Sequence, residues 1–523
     1  MRPCDLATLR LLLRPLSCIF CIPLLHTACE ATSLLATMTT DTSYVVPLLI
    51  NGKEVVTKTT FPITSPSSHK EIWQASSASL EDAKNATSAA QAAFPAWAKM
   101  KPAAKRDIFM KAADMIDSRK DELARYMQVE TGAAEAFSTG FNVPKCADML
   151  RDVAGRMITI MGHIPICEAD GTAALVVKEP LGVVLAIAPW NAPYVLGMRS
   201  ILFPLAGGNT VVLKGSEFCP RIWWAIGNIL TEAGLPAGVI NVLFHRTEDA
   251  AKVTSALIED PAVKKINFTG STAVGRIISS QAGKNLKPVL MELGGKASAI
   301  VCEDADLKKA ATQCALGAFL HSGQICMSSE RVLVHKSIKP QFLEAFKGAV
   351  EGIFGGDKPA PVTVVPAAVD KNKKLISDAV SKGAKVVHGD HEKEEVHPET
   401  KEPSGTRMRP VIVEGVKKEM DLYYTESFGP SVSLIEYTTE EEAIEIANDT
   451  EYGLSGAVFT ENLGRGLRIA KQIETGAVHI NSMTVHDEWA LPHGGAKASG
   501  FGRFNGNWGI EEFLRTKTIT YQE

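Results

Sequence analysis

Apolar and polar positions along the chain follow two periods. From residue 79 to 132 the spacing is helical. Ser79 can cap a first helix, with Glu81 and Asp82 in the first turn where the helix dipole favours acids. The Ala-rich sequence that follows carries this helix to Pro95. Pro102 can open a second helix, in which Ile108, Ala112, Met115 and Ile116 share one apolar face. Residues 121–130 predict a third helix, ended by Gly132. Short runs rich in Val and Ile then recur at 183–188, 210–213, 239–244, 265–268, 288–291 and 298–301. Several lead into helical stretches, such as 219–233 and 272–282. Near-continuous apolar strands alternating with helices predict an α/β fold with a parallel sheet covered on both faces. Ligands of such sheets bind at the carboxyl ends of the strands. Residues 355–410 are the least regular part, and 388–407 are expected to form a surface excursion.

A chain of 523 residues suggests two to four domains at roughly 100–200 residues each. Lys and Arg number 55 against 59 Asp and Glu, a net charge of −4, so no nucleic-acid partner is expected. No stretch reaches the roughly 20 consecutive apolar residues of a membrane span, so no membrane partner is expected either. Ten cysteines are too few for a disulfide-built scaffold, yet Cys4, Cys18, Cys21 and Cys29 crowd the first 29 residues. Residues 1–37 carry Arg2, Arg10 and Arg14, no Lys, only Asp5 and Glu30 as acids, and an apolar run over 16–25. Three readings fit: a secretory signal, a mitochondrial presequence, or translated leader ahead of a start at Met38. In each of them the segment stays outside the fold.

Five segments lie at or just after predicted strand ends, or on loops facing them. They are Pro189-Trp190-Asn191; Gly270-Ser271-Thr272 with Gly275; Glu292-Leu293-Gly294-Gly295-Lys296; Gly323-Gln324-Ile325-Cys326, 34 residues after Glu292; and Glu426-Ser427-Phe428-Gly429-Pro430. Each is weak alone. A free cysteine is usually buried and inert, and Gly270-Ser271-Thr272 by itself is a strand–turn–helix. Together and in this order, from about Leu49 to the C-terminus, they resemble the NAD(P)-dependent aldehyde dehydrogenase superfamily.

The resemblance implies a Rossmann-like NAD-binding domain over 38–163 and 182–293, an α/β catalytic domain over 294–503, and a small β arm for oligomerisation over 164–181 and 504–523. It implies a homodimer or homotetramer, and residues 516–521 alternate polar and apolar as a pairing strand would. Cys326 becomes the nucleophile, since a thiolate adds readily to an aldehyde and later leaves well. Asn191 and the Cys326 N–H become the oxyanion donors. Glu292 becomes the base that activates water against the thioester, which speaks against transfer to coenzyme A. Lys214 and Glu217 hold the adenosine ribose; Trp190, Gly270, Ser271, Gly275 and Gly294 surround the dinucleotide; Glu426 and Phe428 meet the nicotinamide half. A carboxylate at Glu217 would repel a 2′-phosphate, so NAD is expected over NADP. No metal site is expected.

The substrate pocket is assigned to Tyr194, Met198, His321, Ile325, Met327, Trp489 and His493. Residues 484–489 and 492–495 are similar to the subgroup acting on aromatic aldehydes such as benzaldehyde, vanillin and salicylaldehyde. Three departures stand out. Gly215 replaces a common proline, which predicts a looser loop. His493 stands where a phenyl side chain is frequent. The segment after Phe354-Gly355-Gly356-Asp357 is shortened. A nucleophile that must stay a reduced thiol points to the cytoplasm, or to mitochondria if the leader is a presequence. Two other classes stay open, an acylating enzyme that uses coenzyme A and a catalytically silent NAD-binding scaffold.

Overall fold

Eight strands in the order Gly500–Phe501, Val289–Glu292, Val263–Thr269, Val183–Ala188, Thr210–Gly215, Ile240–Leu243, Leu48–Ile50, Lys53–Val55 build one sheet of the computed structural model, which describes residues 41–523. The leader proposed over 1–37 lies outside the described residues. The five central strands are parallel. The chain lays down Val183–Ala188, Thr210–Gly215 and Ile240–Leu243 in one direction. It then returns to add Val263–Thr269 and Val289–Glu292 on the other side. The strand order therefore reverses between Val183–Ala188 and Val263–Thr269, and a crevice at such a reversal is where doubly wound sheets take ligands. Trp190 and Asn191 follow one of these strands, and Gly270 and Ser271 the other.

All six residues of Val183–Ala188 are buried, as expected of a strand covered on both faces. A second sheet has the order Lys385–His388, Val411–Glu414, Ser431–Tyr437, Ser329–His335, Ala297–Val301, Ser455–Phe459, Ala477–Ile480. Only its first strand runs antiparallel to its neighbour. A two-stranded ribbon pairs Thr172–Pro180 with Leu514–Gln522 over nine residue pairs.

The first helices start and stop largely as their chemistry demands. Ser79 caps Leu80–Lys99 through a reciprocal capping box with Asp82. Pro102 occupies the first turn of Pro102–Ser118, and Gly132 ends Lys120–Thr131 in the left-handed region at φ 67°. Two expectations fail. The first helix does not end at Pro95 but runs through it to Lys99, with Trp97 buried and its indole N–H donating to the Leu205 carbonyl at 3.1 Å. That tertiary anchor outweighs the one backbone hydrogen bond proline removes. Residues 355–410 are also more regular than expected. They contain the helix Pro366–Ser381 and the strand Lys385–His388, the helix burying Val369, Leu375, Ile376 and Ala379. The stretch 388–407 is the surface excursion expected, with residues 389, 390, 392–394 and 399–403 exposed, and it is tied down at two points. His397 is buried with its ring against the Ser67 carbonyl at 2.8 Å, and the Thr406 hydroxyl donates to the Pro66 carbonyl at 2.8 Å.

Glu130, fully buried, ties the helical layer to the sheet. Its carboxyl accepts from the Trp73 indole at 3.0 Å and from the backbone N–H groups of Arg221 at 2.9 Å and Ile222 at 3.3 Å, the first turn of Pro220–Glu232. Burial raises its pKa to about 8. Removing it orphans three donors, so Glu130→Ala is expected to cost about 2–4 kcal/mol of stability, read from urea unfolding. An unchanged midpoint would refute this role.

Candidate active site

Cys326 is half-buried in a loop that follows the helix Leu307–Phe319. Backbone geometry there is unusual: His321, Ser322 and Gly323 all have positive φ, at 50°, 59° and 70°. Gly323 is required, because a Cβ would fall 2.2 Å from the Gly429 carbonyl oxygen. Gln324, wholly buried, fastens the loop. Its amide nitrogen donates to the His321 carbonyl at 3.0 Å, and its amide oxygen accepts from the Val364 N–H at 3.0 Å. The Gln324 carbonyl in turn accepts from Nδ2 of Asn191 at 2.9 Å. The amide of Asn191 is thereby fixed against the loop that bears the cysteine. Sequence reasoning treated Gln324 only as part of a motif.

Glu292 ends its strand beside Thr269 and is 1% exposed. Burial pushes the Cys326 thiol well above its ordinary range, and the Glu292 charge adds to the effect while Arg199 opposes it. Among the described residues neither Glu292 oxygen has a hydrogen-bond partner. Nε2 of His493 lies 3.6 Å from Oε1, and the Cys326 thiol also senses the carboxylate. Nδ1 of His493 lies 3.9 Å from Asp487, which is ion-paired with buried Arg199 and accepts from Nδ2 of Asn505 at 2.9 Å.

The aromatic surroundings are partly those expected. His321 stacks on Phe137 with centroids 4.5 Å apart, and Phe137 stacks on Phe141 at 5.7 Å. Ile325, Met327 and Trp489 are buried in the same apolar cluster, against which Cys326 packs. Burial lowers the His321 pKa to about 4, so its ring is neutral. Phe137 and Phe141 escaped notice because they sit in a short irregular turn, Glu135–Phe137 and Ser138–Asn142, with no readable period.

Tyr194 and Met198 must be withdrawn from the pocket. The Tyr194 hydroxyl donates to the Leu123 carbonyl at 2.9 Å, and Met198 is 0% exposed. They lie four residues apart on one face of Pro193–Ala206, whereas Arg199 lies on another, with Val195 and Leu196. That second face meets Trp489, whose ring is 5.8 Å from the Arg199 guanidinium carbon.

A cleft of about 820 Å³ opens nearby, lined by Glu217, Phe218, Arg246, Thr247, Val364 and Val365 among others. Phe218 meets Trp190 edge-on at 6.3 Å, and Trp190 meets Phe428 edge-on at 5.9 Å. Glu217 accepts from the Ser216 and Thr247 hydroxyls at 3.0 and 3.3 Å. Burial lowers the pKa of Lys214 at the end of the neighbouring strand, with Glu217 opposing. Ser271 caps Thr272–Lys284, and Gly275 on that helix leaves room for Leu293, which a Cβ would approach to 2.5 Å. A Cβ at Gly294 would fall 2.7 Å from the Glu426 carboxylate. Glu426 accepts from the Gly295 N–H at 2.8 Å, and burial, with Glu330 nearby, raises its pKa to about 7.

Glu330 was not foreseen. It pairs with buried Lys296 at 2.6 Å and accepts from the N–H groups of Ser427 and Phe428, holding that loop from below. Gly215 does not loosen its loop. It closes the strand Thr210–Gly215, a Cβ there would come within 2.3 Å of the Trp223 ring, and the Trp223 indole donates to the Ser216 carbonyl at 2.8 Å. The glycine cradle, the carboxylates at 217 and 426 and the aromatic wall suit a dinucleotide.

The aldehyde dehydrogenase family model matches residues 54–519. The vanillin dehydrogenase of Pseudomonas fluorescens is 42% identical over 484 residues, covering 91% of this chain and 98% of that protein. The salicylaldehyde dehydrogenase of Pseudomonas putida is 39% identical over 470 residues, covering 88% and 95%. The crystal structure of a salicylaldehyde dehydrogenase from Pseudomonas putida G7 complexed with salicylaldehyde superposes with a TM-score of 0.87 at 38% identity, covering 92% of this chain and 98% of that one. With its strand-end glycines, its half-buried cysteine and its facing glutamate, the chain belongs to the aldehyde dehydrogenase family.

Proposed function

We propose that this enzyme oxidises an aromatic aldehyde to its carboxylic acid, with NAD as electron acceptor. The observation that carries the reading is the convergence of Cys326, Glu292 and the Asn191 amide on one apolar, aromatic-walled site. The Cys326 sulfur adds to the aldehyde carbonyl. The resulting oxyanion accepts from the Cys326 N–H and the free N–H of Asn191, contacts of a kind worth about 2.7–4 kcal/mol each. The bound dinucleotide supplies the acceptor for the hydride that leaves the adduct. Glu292 then takes a proton from water, the water oxygen attacks the thioester, and the Cys326 sulfur departs. Phe137, Phe141, His321 and Trp489 suit a flat ring.

Lys214 and Glu217 hold the adenosine ribose, with the Glu217 carboxylate disfavouring a 2′-phosphate. Trp190, Gly270, Ser271, Gly275 and Gly294 shape the cleft, while Glu426 and Phe428 meet the nicotinamide half. The ribbon of Thr172–Pro180 and Leu514–Gln522 is the arm that joins subunits into a dimer or tetramer. The domains follow the two large sheets, and the reduced thiol suits the cytoplasm. Among the described residues no helix is long and apolar enough to cross a membrane.

An aldehyde panel containing benzaldehyde, vanillin, salicylaldehyde and succinate semialdehyde tests the reading. NADH should form fastest with the aromatic members, and kcat/KM should be at least about tenfold higher with NAD than with NADP. The product should be the free acid, with or without coenzyme A. Preference for the aliphatic acid-bearing aldehyde, or an acyl-coenzyme A product, would refute it.

A further inference from the structure

The position where the family often carries a phenyl ring holds His493, and its surroundings give it work beyond lining a pocket. The residue is 8% exposed. Its backbone is clamped by two bonds to Phe504, N–H to carbonyl at 3.0 Å and the reverse at 2.8 Å. So placed, the imidazole stands between two carboxylates. Nε2 faces Glu292 at 3.6 Å and Nδ1 faces Asp487 at 3.9 Å. Both distances exceed a hydrogen bond, and catalytic contacts of this kind commonly tighten only when substrate binds. Among the described residues, the Glu292 oxygens and Nε2 of His493 are buried without a hydrogen-bond partner. Asp487 is not free to turn away, because Arg199 and Asn505 hold it from behind.

We propose that His493 is a positioning residue for hydrolysis: its Nε2 holds the proton that Glu292 takes from water, while Nδ1–H faces Asp487, which stabilises the imidazolium. The inference rests on the thioester reading given above. The step balances as follows. Water oxygen bonds to the thioester carbonyl carbon, and one water proton passes to Glu292 and on to Nε2. The C–S bond then breaks, leaving the carboxylic acid and the Cys326 thiolate, and the stored proton returns through Glu292 to sulfur. Nothing is oxidised or reduced.

Charged and titratable groups on every neighbouring element bear on the ring. Glu292 at its strand end and Asp487 in the preceding loop favour imidazolium. Arg199 on the helix Pro193–Ala206 and Arg503 near the C-terminus oppose it, as does burial. His479, on the last strand of the second sheet, also interacts with it. The resting ring is held neutral, with its pKa lowered chiefly by burial. An imidazole neutral at rest can accept a proton during turnover.

The test uses full-length enzyme with NAD and vanillin, comparing wild type, His493→Phe and His493→Gln by rapid quench with intact-protein mass measurement. In both variants the first equivalent of NADH should form within about threefold of the wild-type rate. Steady-state turnover should fall at least about tenfold, and an acyl adduct should build up on Cys326. The acid-side limb of the pH–kcat profile, along which turnover rises as the base loses its proton, should also move. Phenylalanine fills the space, and glutamine can donate to Glu292 but cannot carry its proton. A packing role predicts full turnover in His493→Phe, and an aiming role alone predicts rescue in His493→Gln; either result overturns the proposal. Equal loss of the first turnover and the steady state overturns it as well. Failure of the wild type to form NADH or an acyl adduct would instead sink the underlying functional reading, and is told apart by the wild-type trace alone.

Discussion

Cys326→Ala abolishes NADH formation with every aldehyde, by at least about 10⁴-fold, because no other group in the site can form and release an acyl bond. The other cysteines in the described part of the chain are no substitutes. Cys146, Cys219, Cys302 and Cys314 are buried within the fold, and burial raises the pKa of each thiol; Cys167 is only half-buried, but it lies just before the strand Thr172–Pro180 of the two-stranded ribbon and not on the nucleophile loop. Cys326 is raised too, but it remains half-open beside Glu292, which can receive its proton. In the protein without cofactor, alkylation of Cys326 by iodoacetamide should therefore accelerate about tenfold per pH unit between pH 7 and 9. The alanine variant should lose that labelled peptide while keeping its fold and its binding of NAD, seen by quenching of protein fluorescence. Residual steady-state NADH formation in Cys326→Ala would end the thioester mechanism.

Glu292→Gln separates the two halves of the reaction. Glutamine preserves the shape of the side chain but removes the base. The first equivalent of NADH is expected to form, and subsequent turnover to fall by about 10²–10⁴-fold, the usual contribution of a positioned general base. The enzyme should then be isolated as a stable acyl adduct on Cys326, released by hydroxylamine. Loss of the first equivalent in proportion to turnover would show that Glu292 is needed to make the thioester rather than only to hydrolyse it.

The parallel sheet was legible because its strands are nearly pure Val, Ile, Leu and Ala, a pattern that burial on both faces imposes. The helix caps were legible because Ser79, Pro102 and Gly132 act locally. Less was visible where tertiary contacts decide. Trp97 holds a helix through Pro95, and that contact lies 108 residues away in sequence. The helix Pro366–Ser381 hides its buried positions among Lys and Asp.

The same limit applies to the site. Cys326, Glu292 and Asn191 are set in motifs, but Arg199, Asp487 and Glu330 look like ordinary surface charges until the fold brings a partner to each. Tyr194 and Met198 lie close to Asn191 along the chain. Helical rotation turns them away and brings Arg199 round instead.

The bond from Asn191 to the Gln324 carbonyl has a stereochemical consequence. A primary amide has two N–H bonds, and one is already committed to the nucleophile loop. Only the other can meet the aldehyde oxygen, and it points in a single direction relative to the cysteine sulfur. The two faces of the carbonyl group are then no longer equivalent to the protein. In the proposed reaction sulfur adds to one of them, and the new tetrahedral carbon has one absolute configuration in every turnover. Chirality that exists only for the lifetime of the adduct is thus dictated by a side-chain contact that never touches the substrate's ring.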